Sequence, residues 1–248
     1  MDGNEICAAA ALFANCEFFS GYPITPATPI MEYLATELPR AGGSVVQMED
    51  EIASLSAVLG ASWSGVKAMT ATSGPGFSLM QEALGYAVMA EIPLVIVNVQ
   101  RLGPSTGSAT KGADGDIQFL QWGNSGGLPV IVLAPVDVED CIVLTMQAFN
   151  LAETYRCPVF LAANKEISMT RETVDLDAIV LPDIINRRQA DPVQKFLPFG
   201  TSGERLTPDF LPIGGNRAVR QTSSTHGPDG YITADPELIA RNQDRLQR

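Results

Sequence analysis

The stretch "QMEDEIASLSAVLGASWSG", residues 47 to 65, sets Glu49, Asp50 and Glu51 in a row at the start of an apolar helical run. Acids are stabilised in the first turn of a helix, where backbone N–H groups are unpaired and the macrodipole is positive. A second role is chemical: a carboxylate at the rim of a core has a raised pKa and makes a strong hydrogen bond to a ligand nitrogen. On a helical wheel Met48, Ile52, Leu55, Leu59 and Trp63 share one face, with Asp50 opposite it in solvent and Glu49 and Glu51 on the two flanks. Either glutamate can reach inward, and spacing alone does not choose between capping and chemistry.

Three further stretches place reactive groups near turn residues. In "SGYPITPATP", 20 to 29, Pro23, Pro26 and Pro29 stiffen the backbone, so the Thr25 hydroxyl is held in place; Thr25 or Thr28 could equally serve as a helix N-cap. "TSGPGFSLMQEALGYAVMAEIP", 72 to 93, puts Ser73, Gly74 and Gly76 at a turn and Phe77, Met80, Leu84 and Val88 in one apolar stripe. It lacks the Lys of a phosphate loop and the third Gly of a dinucleotide fingerprint, and reads as a turn beside a flat ligand. "VQRLGPSTGSATKGADGD", 99 to 116, is a long polar loop with Arg101 and Lys111. Loops of this length are usually functional or mobile. Arg101 suits a carboxylate, which its planar fork of donors can grip, or it is simply a surface arginine.

The elements that must position these groups alternate. Apolar runs at 16–21, 44–48, 67–72, 93–99, 129–134 and 158–163 are separated by helical patterns near 5–15, 28–39, 49–64, 76–91 and 137–155. The expected class is α/β, a mostly parallel sheet with helices on both faces. Ligands of such sheets bind beyond the carboxyl ends of the strands, which points to 20–28, 72–77 and 100–116. Residues 1–175 form this domain. Residues 176–248 are rich in Pro, Gly and polar residues and read as an irregular extended arm. Its Phe196, Leu197, Phe199, Phe210, Leu211 and Ile213 suit docking on the domain or on a partner.

Bulk properties exclude several classes. The net charge of −12 argues against nucleic acid, and it resides in residues 1–175, whereas 176–248 is neutral. No apolar run reaches the roughly 18 residues of a membrane helix, and the N-terminus opens with acids, so a cytoplasmic location is the default expectation. Cys7, Cys16, Cys141 and Cys157 lack C-x-x-C spacing, as zinc or iron–sulfur ligation would need, and read as buried thiols. The lone His226 leaves little basis for a Ser-His or Cys-His hydrolase.

Taken in order, "GNE" at 3–5, "GYPITPATPI", "MEDEIA", "GASWSGVKAMTATSGPGFSLMQEALG", "EIPLVIVNVQRLGPSTG" and a weaker "STHGPDGY" resemble the α subunit of the 2-oxoacid:ferredoxin oxidoreductases, nearest their 2-oxoglutarate branch. The resemblance covers most of residues 1–175 and implies the pyrimidine-binding fold of thiamine diphosphate enzymes. In that family a glutamate hydrogen-bonds the aminopyrimidine ring and promotes the imino form that deprotonates the thiazolium carbon; by position in "MEDEIA" it is Glu51. The resemblance carries Thr25 and Arg101 over as catalytic and substrate-facing groups and adds Lys111 on the substrate side. It assigns Thr25, Ser73, Gly74 and Phe77, with Glu51, to the cofactor. The implied reaction is oxidative decarboxylation of a 2-oxoacid to an acyl-CoA and carbon dioxide, with electrons passing to ferredoxin.

The same resemblance implies a partner. The family's diphosphate motif, a GDG followed by an Asn, is missing: "GADGDIQF" at 112–119 has no GDG, and 136–141 has no Asn. A β subunit is therefore expected to bring the diphosphate site, Mg2+ and a [4Fe-4S] cluster, in a heterodimer or heterotetramer, with no metal held by this chain. Family α subunits usually continue into a transketolase C-terminal-like domain, which is expected to be absent here. Two other functions fit the residues: a non-catalytic assembly module of such a complex, and the pyrimidine domain of a split thiamine decarboxylase or synthase.

Overall fold

The computed structural model describes every residue except Leu128, Pro129, Pro192, Gln194 and Gly203. Among the described residues six strands form one sheet: β1 (Phe18–Gly21), β2 (Ser44–Gln47), β3 (Ala68–Thr72), β4 (Leu94–Gln100), β5 (Ile131–Leu133) and β6 (Pro158–Asn164). Their order is β2-β1-β3-β4-β6-β5, and every pair is parallel. The class expected from the alternating pattern is the one observed. Pro129, the expected first residue of the fifth strand, lies outside the described residues.

Alternation along the central strands feeds two apolar layers. Val95, Val97 and Val99 of β4 and Val159, Leu161 and Ala163 of β6 join a cluster with Ile6, Ile30, Leu34, Ile142 and Phe149. These last come from α1 (Gly3–Phe13), α2 (Thr28–Glu37) and α7 (Val138–Tyr155). On the other face Leu94, Ile96 and Phe160 pack with Leu55, Val58, Phe77, Leu84 and Leu120, supplied by α3 (Glu51–Trp63), α4 (Gly74–Leu79), α5 (Gln81–Met89) and α6 (Ile117–Trp122). Among the described residues no helix is long and apolar enough to cross a membrane.

Several expectations need correction. The helical pattern near 76–91 is two helices, α4 and α5, meeting at Met80. The edge strand β2 is only half-covered, not apolar on both faces: Ser44 and Gln47 are exposed. Thr25 and Thr28 do not cap α2; its N-cap is Ala27, which has no side-chain acceptor. Three helices carried no clear signal: α6, α8 (Lys165–Met169) and α9 (Pro236–Gln247). The last lies within the stretch expected to be irregular. It is capped by Asp235, whose side chain accepts from the Glu237 and Leu238 N–H groups.

Arg187, Asp209, Phe210 and Arg245 tie the segment after α8 to the end of the sheet where the strands begin. Arg187 and Glu153 form a buried ion pair at 2.6 Å, and Arg187 also donates to the Ser62 and Val66 carbonyls. The Arg187 guanidinium lies 4.8 Å from the buried Phe210 ring. Arg156, just before β6, donates to the carbonyls of Glu91 and Asp209, and Arg245 pairs with Glu91 at 2.5 Å. These contacts gather at the amino ends of the strands, opposite the end at which ligands of parallel sheets bind.

Candidate functional site

At the carboxyl end of β3 the chain enters α4 through Ser73, and α3 begins alongside with Glu51. Asp50 is the N-cap of α3: its carboxylate accepts from the Ala53 N–H at 2.8 Å. That hydrogen bond fixes the start of the helix, and with it the direction of the next residue. Glu51 is 5% exposed. The buried face of α3 runs through Glu51, Ser54, Leu55, Val58, Leu59 and Ser62, whereas Ile52 is 50% exposed. The covered face of α3 is thus turned by nearly one residue from the face that the apolar spacing predicts. Two serines share the covered face because their hydroxyls are satisfied, Ser54 on the Asp50 carbonyl at 2.7 Å and Ser62 on the Pro93 carbonyl. Asp50 belongs to the cap, not to free solvent, and Glu49 is exposed.

The Glu51 carboxylate lies against Gly76. A Cβ built on Gly76 would run into Glu51 Oε1 and the Thr72 hydroxyl, so the turn and the acid fit together only with glycine there. Burial raises the Glu51 pKa, and the Asp50 charge adds to the effect; its own backbone N–H and the Arg101 cation oppose it. Ser73 is fully buried, and its hydroxyl has no partner within the chain. Beyond it the last residues of β3 and β4 on the α3 side are polar: Thr70 and Thr72, Asn98 and Gln100, all buried. Unpartnered buried oxygens at Thr70, Ser73 and Asn98 leave this end of the sheet with spare hydrogen-bonding capacity.

Arg101 follows β4 directly and is 7% exposed. Its Nη1 donates to the Thr25 carbonyl at 2.7 Å and its Nη2 to the Thr106 carbonyl at 2.9 Å, while Nε has no partner. The guanidinium thus joins the exit of β1 to the long loop after β4. Thr25 itself is exposed, and the next residue is fixed from behind, since Asn4 Nδ2 donates to the Pro26 carbonyl at 2.9 Å. Lys111 is exposed, with the loop backbone closed beneath it by the Leu102 N–H to Lys111 carbonyl bond at 2.8 Å.

The structure sets Glu51 against Gly76 in the turn that Ser73 and Gly74 begin, and places Arg101 within electrostatic reach of Glu51, with Thr25 linked to Arg101 through its carbonyl. Phe77 is different. Its ring is 1% exposed and makes edge contacts with Phe119 and Phe160 at 5.2 and 5.4 Å. It is a core side chain that anchors α4. Sequence reasoning missed Asp116, whose Oδ2 accepts from Asn98 Nδ2 at 3.2 Å and whose N–H donates to Gln100 Oε1 at 3.1 Å. The signal was present in "VNVQ", 97–100, where two amides alternate with valines on a strand that is otherwise apolar.

The arrangement suits a flat, nitrogen-containing heterocycle: a buried acid with a raised pKa, a glycine turn without side chains beside it, and unpartnered oxygens around it. Residues 9–244 match the family described as pyruvate flavodoxin/ferredoxin oxidoreductase, thiamine diP-binding. The chain is 48% identical over 254 residues to the 2-oxoglutarate synthase subunit KorA of Methanocaldococcus jannaschii, covering 100% of this chain and 68% of that one. It is 36% identical to subunit alpha of 2-oxoacid:ferredoxin oxidoreductase 1 from Sulfurisphaera tokodaii, over 95% of this chain and 40% of the relative. Among solved structures, a 2-oxoglutarate:ferredoxin oxidoreductase from Magnetococcus marinus, with 2-oxoglutarate, coenzyme A and succinyl-CoA bound, superposes with a TM-score of 0.91 at 40% identity. The match spans 100% of this chain and 44% of that one. The chain therefore spans about two thirds of the KorA relative and less than half of the solved chain. By fold, by this similarity along almost its whole length and by the chemistry of the strand ends, the chain belongs to the thiamine diphosphate-binding family of pyruvate flavodoxin/ferredoxin oxidoreductases.

Proposed function

We propose that this chain is the pyrimidine-binding subunit of a cytoplasmic 2-oxoglutarate:ferredoxin oxidoreductase that forms succinyl-CoA and carbon dioxide. The observation that carries the reading is the Glu51 carboxylate, buried against Gly76 at the carboxyl end of β3. The residues present fit thiamine diphosphate, because a buried acid of raised pKa is what a ring nitrogen needs and the side-chain-free turn leaves room for the ring. When bound, the cofactor supplies a carbon nucleophile for the keto group and a sink for the electrons left by decarboxylation.

The chain's own residues divide the remaining work. Glu51 holds a proton shared with the pyrimidine nitrogen. Ser73 and Gly74 line the turn, with the Ser73 hydroxyl available as a hydrogen-bond partner. Thr25, exposed at the exit of β1, and Arg101 orient the 2-oxoacid. With two of its donors committed to backbone, Arg101 acts on the carboxylate mainly through its charge and its remaining N–H groups. Lys111 on the loop suits the second carboxylate of a dicarboxylic substrate. A β subunit carries the diphosphate site, Mg2+ and a [4Fe-4S] cluster, with ferredoxin docking there, and residues 176–248 form part of the shared interface.

Anaerobic reduction of a viologen dye by this chain and its co-encoded partner tests the reading, with thiamine diphosphate, Mg2+ and coenzyme A present. Turnover of 2-oxoglutarate that vanishes when either chain is omitted supports it. A preference for pyruvate or a branched-chain acid would move the substrate assignment. Cofactor binding without dye reduction would favour a split decarboxylase, and absence of cofactor binding an assembly module.

A further inference from the structure

The turn Gly74-Pro75-Gly76 lies between two carboxylates. Gly76 faces Glu51 of α3, and Gly74 faces Asp116, which ends the loop after β4; a Cβ built on Gly74 would sit 2.8 and 2.9 Å from the two Asp116 oxygens. Asp116 is held by the last two inward-facing residues of β4, both fully or almost fully buried: Asn98 donates to its carboxylate and Gln100 accepts from its N–H. Gln100 is itself braced by the Ala163 carbonyl of β6 at 3.3 Å. At the start of the same loop Arg101 reaches the Thr25 and Thr106 carbonyls. Residues 102–115 are thus pinned at both ends, by Arg101 to the exit of β1 and by Asp116 to the turn after β3.

We propose that Asp116 is a positioning residue: clamped by Asn98 and Gln100, it locks the loop carrying Thr106 and Lys111 onto the Gly74 side of the turn that carries Glu51 on its other side. The distance between the substrate side and the cofactor side of the site is then set by a turn gripped from both flanks. Asp116 is half-buried, and simple loop closure could use an apolar residue at that position without desolvating a carboxylate. Two buried amides that hold Asp116, and a glycine whose bare Cα faces its carboxylate, indicate that its geometry is what the site uses. The inference rests on the reading of the site as thiamine- and 2-oxoacid-binding only for the kinetic consequence; the clamp itself stands on the contacts.

The test uses the complex of this chain with its partner. Asp116→Ala removes the carboxylate that Asn98 holds and keeps only the backbone N–H bond to Gln100, so the loop loosens, KM for the 2-oxoacid rises about tenfold while kcat stays within about threefold, and amide hydrogen exchange across 102–115 accelerates. Asp116→Asn keeps near wild-type values for both, because Asn98 Oδ1 has no partner and can accept from the new amide once the Asn98 side chain turns over. Gly74→Ala, which displaces the carboxylate without removing it, reproduces the rise in KM. Three results overturn the proposal: unchanged KM and exchange in Asp116→Ala, a fall in kcat at unchanged KM, or equal losses in Asp116→Asn and Asp116→Ala, which would make the charge and not the clamp the functional property. Should the wild-type complex turn over no 2-oxoacid, the functional reading fails, and the exchange comparison still decides the clamp.

Discussion

Glu51 and Gly76 occupy complementary space: the Glu51 carboxylate fills the volume that a side chain at residue 76 would need, next to the Thr72 hydroxyl. One residue begins α3 and the other lies in the first turn of α4, so the relation between two helices is set by an acid pressed on a bare backbone. Gly76→Ala must push Glu51 out of its place or move α4. The expected result is a loss of thiamine diphosphate affinity of about tenfold or more with a destabilisation of about 1–3 kcal/mol. Calorimetric titration of the complex and thermal melting of the same variant measure the two effects.

Burial raises the Glu51 pKa above its ordinary value of 4.5, so the folded protein holds this proton more tightly than the unfolded chain does. The unfolded state therefore ionises first as pH rises. Stability is greatest below the unfolded value, falls as pH climbs from there, and stops falling once the folded pKa is passed. Asp116, raised by burial in the same way, adds to this slope. Glu51→Gln removes the Glu51 share, so the melting temperature of the variant should gain on wild type as pH climbs above the ordinary glutamate value of 4.5. The same variant should lose most of its turnover, by about a hundredfold or more. Paired melts across pH and steady-state assays of the complex read both effects, and parallel melting curves would remove the buried-acid assignment.

Leu55 and Ile52 lie on the same helix, one fully buried and the other half-exposed. Leu55→Ala should cost about 2–5 kcal/mol, whereas Ile52→Ala in the isolated chain should stay within about 0.5 kcal/mol. Denaturant unfolding of the two variants checks the observed orientation of α3 against the one rotated by a residue.

The Arg187–Glu153 pair, with side chains 2% and 4% exposed, joins the segment after residue 186 to α7. Glu153→Gln leaves Arg187 buried without its counter-ion and should cost about 3–5 kcal/mol. Replacing both, as Glu153→Leu with Arg187→Met, should cost less than the single change, since two apolar groups carry no uncompensated charge. Urea midpoints of the single and double variants decide the point.

Much of the architecture was legible in the sequence. All six strands and the two-sided cover follow from short apolar runs alternating with helical patterns, because a parallel sheet buried on both faces demands such runs. The place to look for chemistry followed as well, since ligands gather at the carboxyl ends of parallel strands. Composition also indicated that residues after 175 differ from those before, although the capped helix α9 within them escaped notice, being short of apolar positions.

The sequence by itself could not say which glutamate of "MEDEIA" turns inward. That depends on the rotation of α3 about its axis, which the Asp50 cap and the buried Ser54 and Ser62 settle through hydrogen bonds that no hydrophobic pattern encodes. Nor could it show that Phe77 belongs to the core, that Arg101 spends two donors on the backbone of two distant segments, or that Gly74 and Gly76 face carboxylates from different elements. Periodicity records which residues avoid water. Which polar groups meet across 25 or 42 positions, as Glu51 meets Gly76 and Gly74 meets Asp116, is decided only when the strands are laid side by side and the loops between them are closed.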